Sequence, residues 1–392
     1  MLDSFNTIDG FNIVLISDLE GSPSLEIVNL VLQMQAKGEK ITSLAVGEPA
    51  YDTPKEIMDV AVRNMYDGDT HYTSSYGIQE VREAVVDKVI RKNRINAGIN
   101  NTIFMAAKQA IYTAMMAIAG RRTSILVPNP GYFYTEPALI AGLEPVRYRL
   151  NQDLSFNVDD VISRMDRQTA AIVLNSPGNP TGRIIDEGDL RILYDKCKSL
   201  GIKIISDEAY EDIVYENRHF SVGSLEETPD DVISVFSLSK SYSMTGWRAG
   251  YTIASDMIVE KMARFIEHTY TCSPPFIQKA SAFALKHGDR YIEEFREDFR
   301  KKRAFVMKRL SEIIGIGTSP IDGAFYAFPS YSIRKSSSAL AKELLENHNV
   351  ALLPGSAFGD AGEGHLRISF SGSQESLELG LNELDRYITS KS

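Results

Sequence analysis

Ser237-Leu238-Ser239-Lys240-Ser241-Tyr242-Ser243-Met244-Thr245-Gly246-Trp247-Arg248-Ala249-Gly250-Tyr251 sets one lysine among four serines and a threonine, with an arginine eight residues further on. The strand-forming run Val232-Ile233-Ser234-Val235-Phe236 leads in, and Tyr251–Ala254 reads as a short strand leading out. Lys240 is therefore expected on a loop at a strand end, where open α/β sheets gather their ligands. A lysine that sheds its charge can form a Schiff base with a carbonyl. The hydroxyls of Ser237 and Ser239 and the charge of Arg248 suit a phosphate nearby. An aldehyde and a phosphate on one small molecule would satisfy both, which points to pyridoxal phosphate. The alternative is an ordinary solvated loop lysine.

Working outward, short β-rich runs at Ser124–Val127, Ala170–Leu174 and Ile202–Ser206 precede this pair, and helical patterns such as Asp186–Leu200 separate them. Strands alternating with helices predict βαβ units: an α/β fold with a mostly parallel sheet and helices on both faces. Toward the N-terminus, residues 1–20 read as an irregular arm and Ser24 as the cap of a helix reaching Lys37. A short strand follows over Ile41–Val46. Apolar positions at helical spacing run through Ile57–Met65, Ile78–Ile90 and the more buried Ile111–Ala119. From about Pro275 a long helical stretch leads into a mixture of helices and short strands. At 392 residues the chain is too long for one ordinary core. Three segments are expected: an arm and helix over 1–46 joining a small α+β domain, a large domain over 47–285, and the small C-terminal domain over 286–392.

Composition narrows the function. A hydrophobic share of 43% with 24% charged residues is that of a globular protein. The net charge of −10 speaks against non-specific binding to nucleic acid or anionic membrane. Cys197 and Cys272 lie far apart and the six histidines are scattered, so no metal site is expected, and a reducing, cytoplasmic setting fits. No run is apolar and long enough for a membrane span. Neither glycine-rich nucleotide motif occurs.

Two further strand ends carry chemistry. Asn175-Ser176-Pro177-Gly178-Asn179-Pro180-Thr181-Gly182 gives Asn179 a rigid mount, or is only a strand-to-helix turn. Asp207, in Ser206-Asp207-Glu208-Ala209-Tyr210, follows a buried strand, where a carboxylate is costly without a partner. A protonated pyridine nitrogen is one such partner; capping a following helix is the other reading.

With these residues in order, the chain resembles the class I/II aminotransferases, pyridoxal-phosphate enzymes of fold type I, and most closely the aspartate aminotransferase branch. The resemblance rests on Gly47-Glu48-Pro49 with Asp52-Thr53-Pro54, Tyr72 with Gly77, Asn175 to Gly182, Asp207-Glu208-Ala209-Tyr210, and Ser237 to Arg248. It continues through Gly323-Ala324-Phe325-Tyr326, Pro354 to Gly359 and Arg367-Ile368-Ser369. Taken together, in order over most of the chain, these are specific.

The resemblance implies roles. Lys240 would bind the cofactor covalently and then shuttle a proton. Asp207 would keep the pyridine nitrogen protonated. Asn179 and Tyr210 would bond the phenolic oxygen, and Tyr132 would stack on the ring. Ser237, Ser239, Arg248 and the helix start at Ala107 and Lys108 would take the phosphate. Tyr72 would reach the phosphate of the neighbouring subunit, making a homodimer with shared sites. Gly47, Asn179 and Arg367 would bind the substrate, Arg367 through its α-carboxylate. Ala106-Ala107 stands where the family usually has small polar residues or glycine, so a hydroxyl contact to the phosphate is missing. The Lys108 side chain is read as solvated, with a substrate contact the other possibility. Trp247 reads as a packing residue. No residue matches a reader of a side-chain carboxylate, so aspartate, glutamate, alanine and aromatic substrates all stay open. A lyase or synthase on the same scaffold is the alternative activity.

Overall fold

The structure, a computed structural model, describes residues 6–8, 11–13, 19, 21, 23–216 and 218–391. Its centre is a seven-stranded sheet made by Thr102–Phe104 (β1), Ser124–Asn129 (β2), Glu144–Arg149 (β3), Thr169–Asn175 (β4), Lys203–Asp207 (β5), Val232–Ser237 (β6) and Gly250–Ile253 (β7). The strand order is β1-β7-β6-β5-β4-β2-β3. Strands β2 to β6 run parallel, and β7 is antiparallel to both of its neighbours.

Side chains along the central strands alternate between two cores, as a period of two requires. Ile125, Val127, Val173, Ile205 and Val235 face the helices Ala107–Ile118 and Asp256–Glu267 through Ile111, Met115, Met262 and Ile266. Leu126, Ile172, Leu174 and Ile204 face the helix Glu187–Leu200 through Leu190, Leu193 and Cys197. The strands are thus buried on both faces, which explains their continuous apolar runs. Toward the β1 end of the sheet, Ala280, Ala284 and Leu285 of the helix Pro275–His287 join Val81 and Val85 of the helix Gln79–Lys88 over Phe236 and Tyr251.

A second core lies where the C-terminal elements meet residue 44. Tyr326–Ala327, Leu366–Ser369 and Leu353–Pro354 form a three-stranded antiparallel sheet with Leu366–Ser369 in the middle. Val350–Ala351 pairs parallel with Thr42–Ser43. The helices Asp289–Glu312, Ser337–His348 and Gln374–Lys391 bury Phe299, Leu344 and Leu381 against these strands, with Leu44 among them.

Several expectations need correction. Within the supposed irregular arm, Asn6–Ile8 and Phe11–Ile13 pair as an antiparallel hairpin, with Asp9-Gly10, a strong turn dipeptide, between them in the sequence. Apart from Leu19, the rest of residues 1–20 lie outside the described residues. The first helix is Pro23–Ala36, so Ser24 falls inside its first turn instead of at its cap. The strand expected over Ile41–Val46 shrinks to Thr42–Ser43. Strands β1 and β3 were not expected. Strand β3 carries Glu144, Pro145, Arg147 and Arg149 and sits at the sheet edge, where charge and proline are tolerated and even protective.

Candidate active site

Three of the parallel strands end at one cavity of about 280 Å³. Strand β4 delivers Asn175 and, beyond it, Asn179; β5 ends in Asp207, with Tyr210 three residues on; β6 ends in Ser237 and passes into the short helix Leu238–Ser241, which carries Ser239 and Lys240. The start of the helix Ala107–Ile118 and the middle strand Leu366–Ser369 close the other sides. Gly47, Ala107, Lys108, Tyr132, Asn179, Asp207, Tyr210, Ser237, Ser239, Lys240, Arg248 and Arg367 all line this cavity. The sequence reading placed these twelve together, and the fold brings them together. Tyr72 does not line it and is 86% exposed.

The amine of Lys240 donates to the Gly47 carbonyl at 2.6 Å. Burial lowers its pKa to about 8; Glu48 pulls it up, and Arg367 and Arg248 push it down. A lysine so placed is neutral in a substantial fraction near physiological pH, as a nucleophile and proton carrier must be. Gly47 has to be glycine because the Tyr326 hydroxyl lies where a Cβ would stand.

Asp207 is buried at the end of β5. It accepts from the Tyr134 hydroxyl at 2.7 Å and from the Ala209 backbone N–H at 3.2 Å. Burial raises its carboxyl to about 6 despite those two donors. No helix follows: the chain turns through residues 209–212, so the helix-cap reading of Asp207 falls. The Tyr210 and Tyr326 hydroxyls meet at 2.8 Å, and burial holds Tyr210 well above the usual phenol range.

Arg367 is buried. One guanidinium nitrogen donates to the Asn179 side-chain carbonyl at 3.1 Å and another to the Ala45 carbonyl. Its Cζ lies 4.5 Å from the Tyr326 ring centre. Among the described residues no carboxylate pairs with it, and its Nε is a buried donor without a partner. An uncompensated buried charge is expensive, so it marks a place for an incoming carboxylate. Asn179 spends its carbonyl on Arg367, and its Nδ2 donates to nothing among the described residues.

The opposite part of the lining suits a phosphate. The helix Ala107–Ile118 starts at Ala106 without a side-chain cap, so its first backbone N–H groups and the positive end of its dipole are open to a ligand. Ser237 accepts from the Ser239 N–H at 3.2 Å, and the Ser239 hydroxyl bonds nothing among the described residues. Arg248 adopts a left-handed φ of 57° and stays exposed, with no carboxylate partner among the described residues. Lys108 is also exposed at the cavity wall, so both readings of its side chain are compatible with its place. The lining carries four cationic side chains against one carboxylate, a balance made for anions. Donor set and charge fit pyridoxal phosphate.

The comparisons agree with this geometry. Residues 39–384 match the family described as aminotransferase class I and II. The chain belongs to this pyridoxal-phosphate-dependent enzyme family. It is 35% identical to an aspartate aminotransferase of Pyrococcus abyssi over 94% of this chain and 98% of that protein. It is 36% identical to aromatic-amino-acid aminotransferase 2 of Thermococcus litoralis, over 90% and 93% of the two chains. The crystal structure of the Thermus thermophilus aspartate aminotransferase with maleate superposes with a TM-score of 0.91 at 29% identity, covering 95% of this chain and 98% of that one. The aminotransferase is thus an enzyme that moves an amino group between an amino acid and a 2-oxo acid.

Two cavity residues, Asn175 and Tyr326, and one residue behind the wall, Tyr134, carried no expectation. Tyr134 holds Asp207, and its signal was its place two residues after Tyr132 in the same turn. Tyr326 lay inside a quoted motif but had no role. Asn175 donates to the Asp207 carbonyl at 3.2 Å and accepts the Asn179 N–H at 2.8 Å, bracing both. Trp247 packs as expected, with its indole N–H on Thr53 at 2.9 Å.

Proposed function

We propose that the cavity holds pyridoxal 5′-phosphate and that the enzyme works by two successive half-reactions, with aspartate as amino donor. Three segments frame it: 1–46 with 286–392 as a small domain, and 47–285 as the large one. We place it in the cytoplasm as a homodimer in which Tyr72 reaches the neighbour's phosphate; the exposure of Tyr72 and the two free cysteines support this. Among the described residues no helix is long and apolar enough to cross a membrane. The aspartate preference rests on the activity named for the Pyrococcus relative. The observation that carries the cofactor reading is the pairing, in one cavity, of a lysine lowered to about 8 with a buried arginine that has no acid partner among the described residues.

When bound, the cofactor supplies an aldehyde for the amino group and a ring that withdraws electrons from the substrate Cα. Lys240 would hold the cofactor through its aldehyde and, with its amine free, would move the proton from the substrate Cα to the carbon of that former aldehyde. Asp207, ionised, would keep the ring nitrogen protonated. The Asn179 amide and Tyr210 hydroxyl would donate to the phenolic oxygen, and Tyr132 would cover the ring. The helix start at Ala107 and Lys108, with Ser237, Ser239 and Arg248, would hold the phosphate. Arg367, Asn179 and Gly47 fix the substrate carboxylate end, so that the Cα–H meets the lysine.

The test is to mix the holoenzyme with aspartate alone, without a 2-oxo acid. Stable loss of the cofactor's yellow absorbance with one equivalent of oxaloacetate supports the reading, and Lys240→Ala abolishes the change. Release of ammonia, or a spectrum that returns unaided, means elimination chemistry and overturns it.

A further inference from the structure

The segment between the strand Thr42–Ser43 and the helix Lys55–Tyr66 has no regular structure, yet it places two groups on Lys240. The Gly47 carbonyl accepts from the lysine amine, and the Glu48 carboxylate, bonded by the Thr245 hydroxyl, raises that amine's pKa. What holds such a segment still matters for the lysine.

Most of its ties go to neighbours of the cavity. The Ser243 hydroxyl donates to the Tyr51 carbonyl, and the Thr53 hydroxyl donates to the Ser243 carbonyl at 2.6 Å. The Ala50 N–H donates to the Ser371 carbonyl at 3.1 Å. The Tyr51 side chain runs the other way, to the long helix Asp289–Glu312. Its ring lies parallel to Phe295, centroids 4.5 Å apart at 2°, with Phe299 edge-on at 5.8 Å. Its hydroxyl donates to Asp298. Lys302 reaches Asp298 at 2.7 Å and the same hydroxyl at 3.3 Å. The Lys302 side chain is only 9% exposed, and these two oxygens are its partners there. A hydrogen bond from a part-buried hydroxyl to an ionised carboxylate is the strong, charge-assisted kind of tie.

We propose that Tyr51 is a positioning residue for Lys240: its hydroxyl latches residues 47–53 to the helix Asp289–Glu312 and so keeps the Gly47 carbonyl and Glu48 on the amine. Both groups favour the ammonium form, one as acceptor and one as charge. Releasing the latch therefore makes the lysine easier to deprotonate. Tyr51→Phe keeps the stack on Phe295 and removes only the latch.

The experiment measures Lys240 directly, whatever its part in catalysis. Full-length protein stripped of cofactor is pulse-acylated across a pH series, and labelling of the peptide bearing Lys240 is read by mass spectrometry. Tyr51→Phe is expected to move the labelling midpoint down, with about five-fold faster labelling at pH 6.5, the effect of a pKa lower by nearly one unit. Asp298→Ala removes the acceptor from the more exposed side and should behave the same. Asp298→Asn keeps an acceptor for the hydroxyl and should restore the parent midpoint. A purely structural role would lower melting temperature in all three without moving the midpoint. An unchanged midpoint in Tyr51→Phe and Asp298→Ala overturns the proposal.

Discussion

Replacing Asp207 by asparagine should stabilise the cofactor-free enzyme while weakening the loaded one. Burial raises the Asp207 carboxyl to about 6, against an ordinary value of 3.8. The folded state therefore holds the proton more tightly than the unfolded state. Stability is present in full below the unfolded value and is lost as pH rises through the folded one. The loss amounts to about 0.5 kcal/mol at pH 4 and about 3 kcal/mol by pH 8, at about 1.4 kcal/mol for each tenfold difference in proton affinity. Asparagine escapes that cost. It also gives up one acceptor, because its amide cannot serve both Tyr134 and Ala209 as the two carboxylate oxygens do. That costs about 1 kcal/mol at any pH.

The two terms give a crossing. The variant should be slightly less stable than the parent at pH 4 and more stable by about 2 kcal/mol at pH 8, equality falling between pH 4 and 5. Urea denaturation of both cofactor-free proteins at several pH values reads this directly. With cofactor the order should reverse at pH 8, since asparagine cannot pair with a protonated ring nitrogen. Titration should then show cofactor binding weakened more than about thirty-fold, the roughly 2 kcal/mol needed to reverse the order, and turnover should collapse. A stability difference between variant and parent that does not depend on pH would show that Asp207 is not the buried carboxylate described here.

Arg367→Lys keeps the charge but loses the two parallel donors that match a carboxylate. Apparent affinity for every amino acid and 2-oxo acid should fall by a similar factor with cofactor affinity unchanged; loosened cofactor in a titration would instead place the arginine on the phosphate. Tyr72→Phe should do the opposite, loosening cofactor and sparing substrate selectivity, and unchanged cofactor affinity would remove the main sequence argument for a shared site. Away from the cavity, Lys88 and Glu211 form an ion pair with side chains 3% and 9% exposed, and Asn93 bonds both partners. Lys88→Met should cost about 3–5 kcal/mol in urea denaturation at pH 7, because it strands a buried carboxylate, and Glu211→Gln on top should recover most of that. A loss below about 1 kcal/mol would mean the site admits water.

What could be read from the chain differs in kind from what could not. The central strands were legible because both faces are buried, so Ala170–Leu174 and Val232–Phe236 are unbroken apolar runs with turn residues after them. Strand β3 was illegible because an edge strand needs no such run: its three charged residues are exposed and Pro145 is only half-buried. The cavity was legible for a related reason. Each parallel strand ends on the same side of the sheet, so residues just past strand ends are neighbours in space although distant in sequence. That rule gathers Asn179, Asp207 and Lys240, and the family resemblance adds Arg367. It says nothing of what stands behind them. The Tyr134 bond to Asp207 spans 73 positions, the Lys88 pair 123, and the Tyr51 latch on Asp298 247. No local pattern records such pairings, and the rule that charges sit outside argues against two of them. The same holds for the chemistry. A lysine motif gives the identity of the nucleophile, but the value of about 8 comes from burial and from the placement of Glu48, Arg248 and Arg367, which only the fold supplies. The reacting groups are written along the chain at strand ends, and their tuning is written across it.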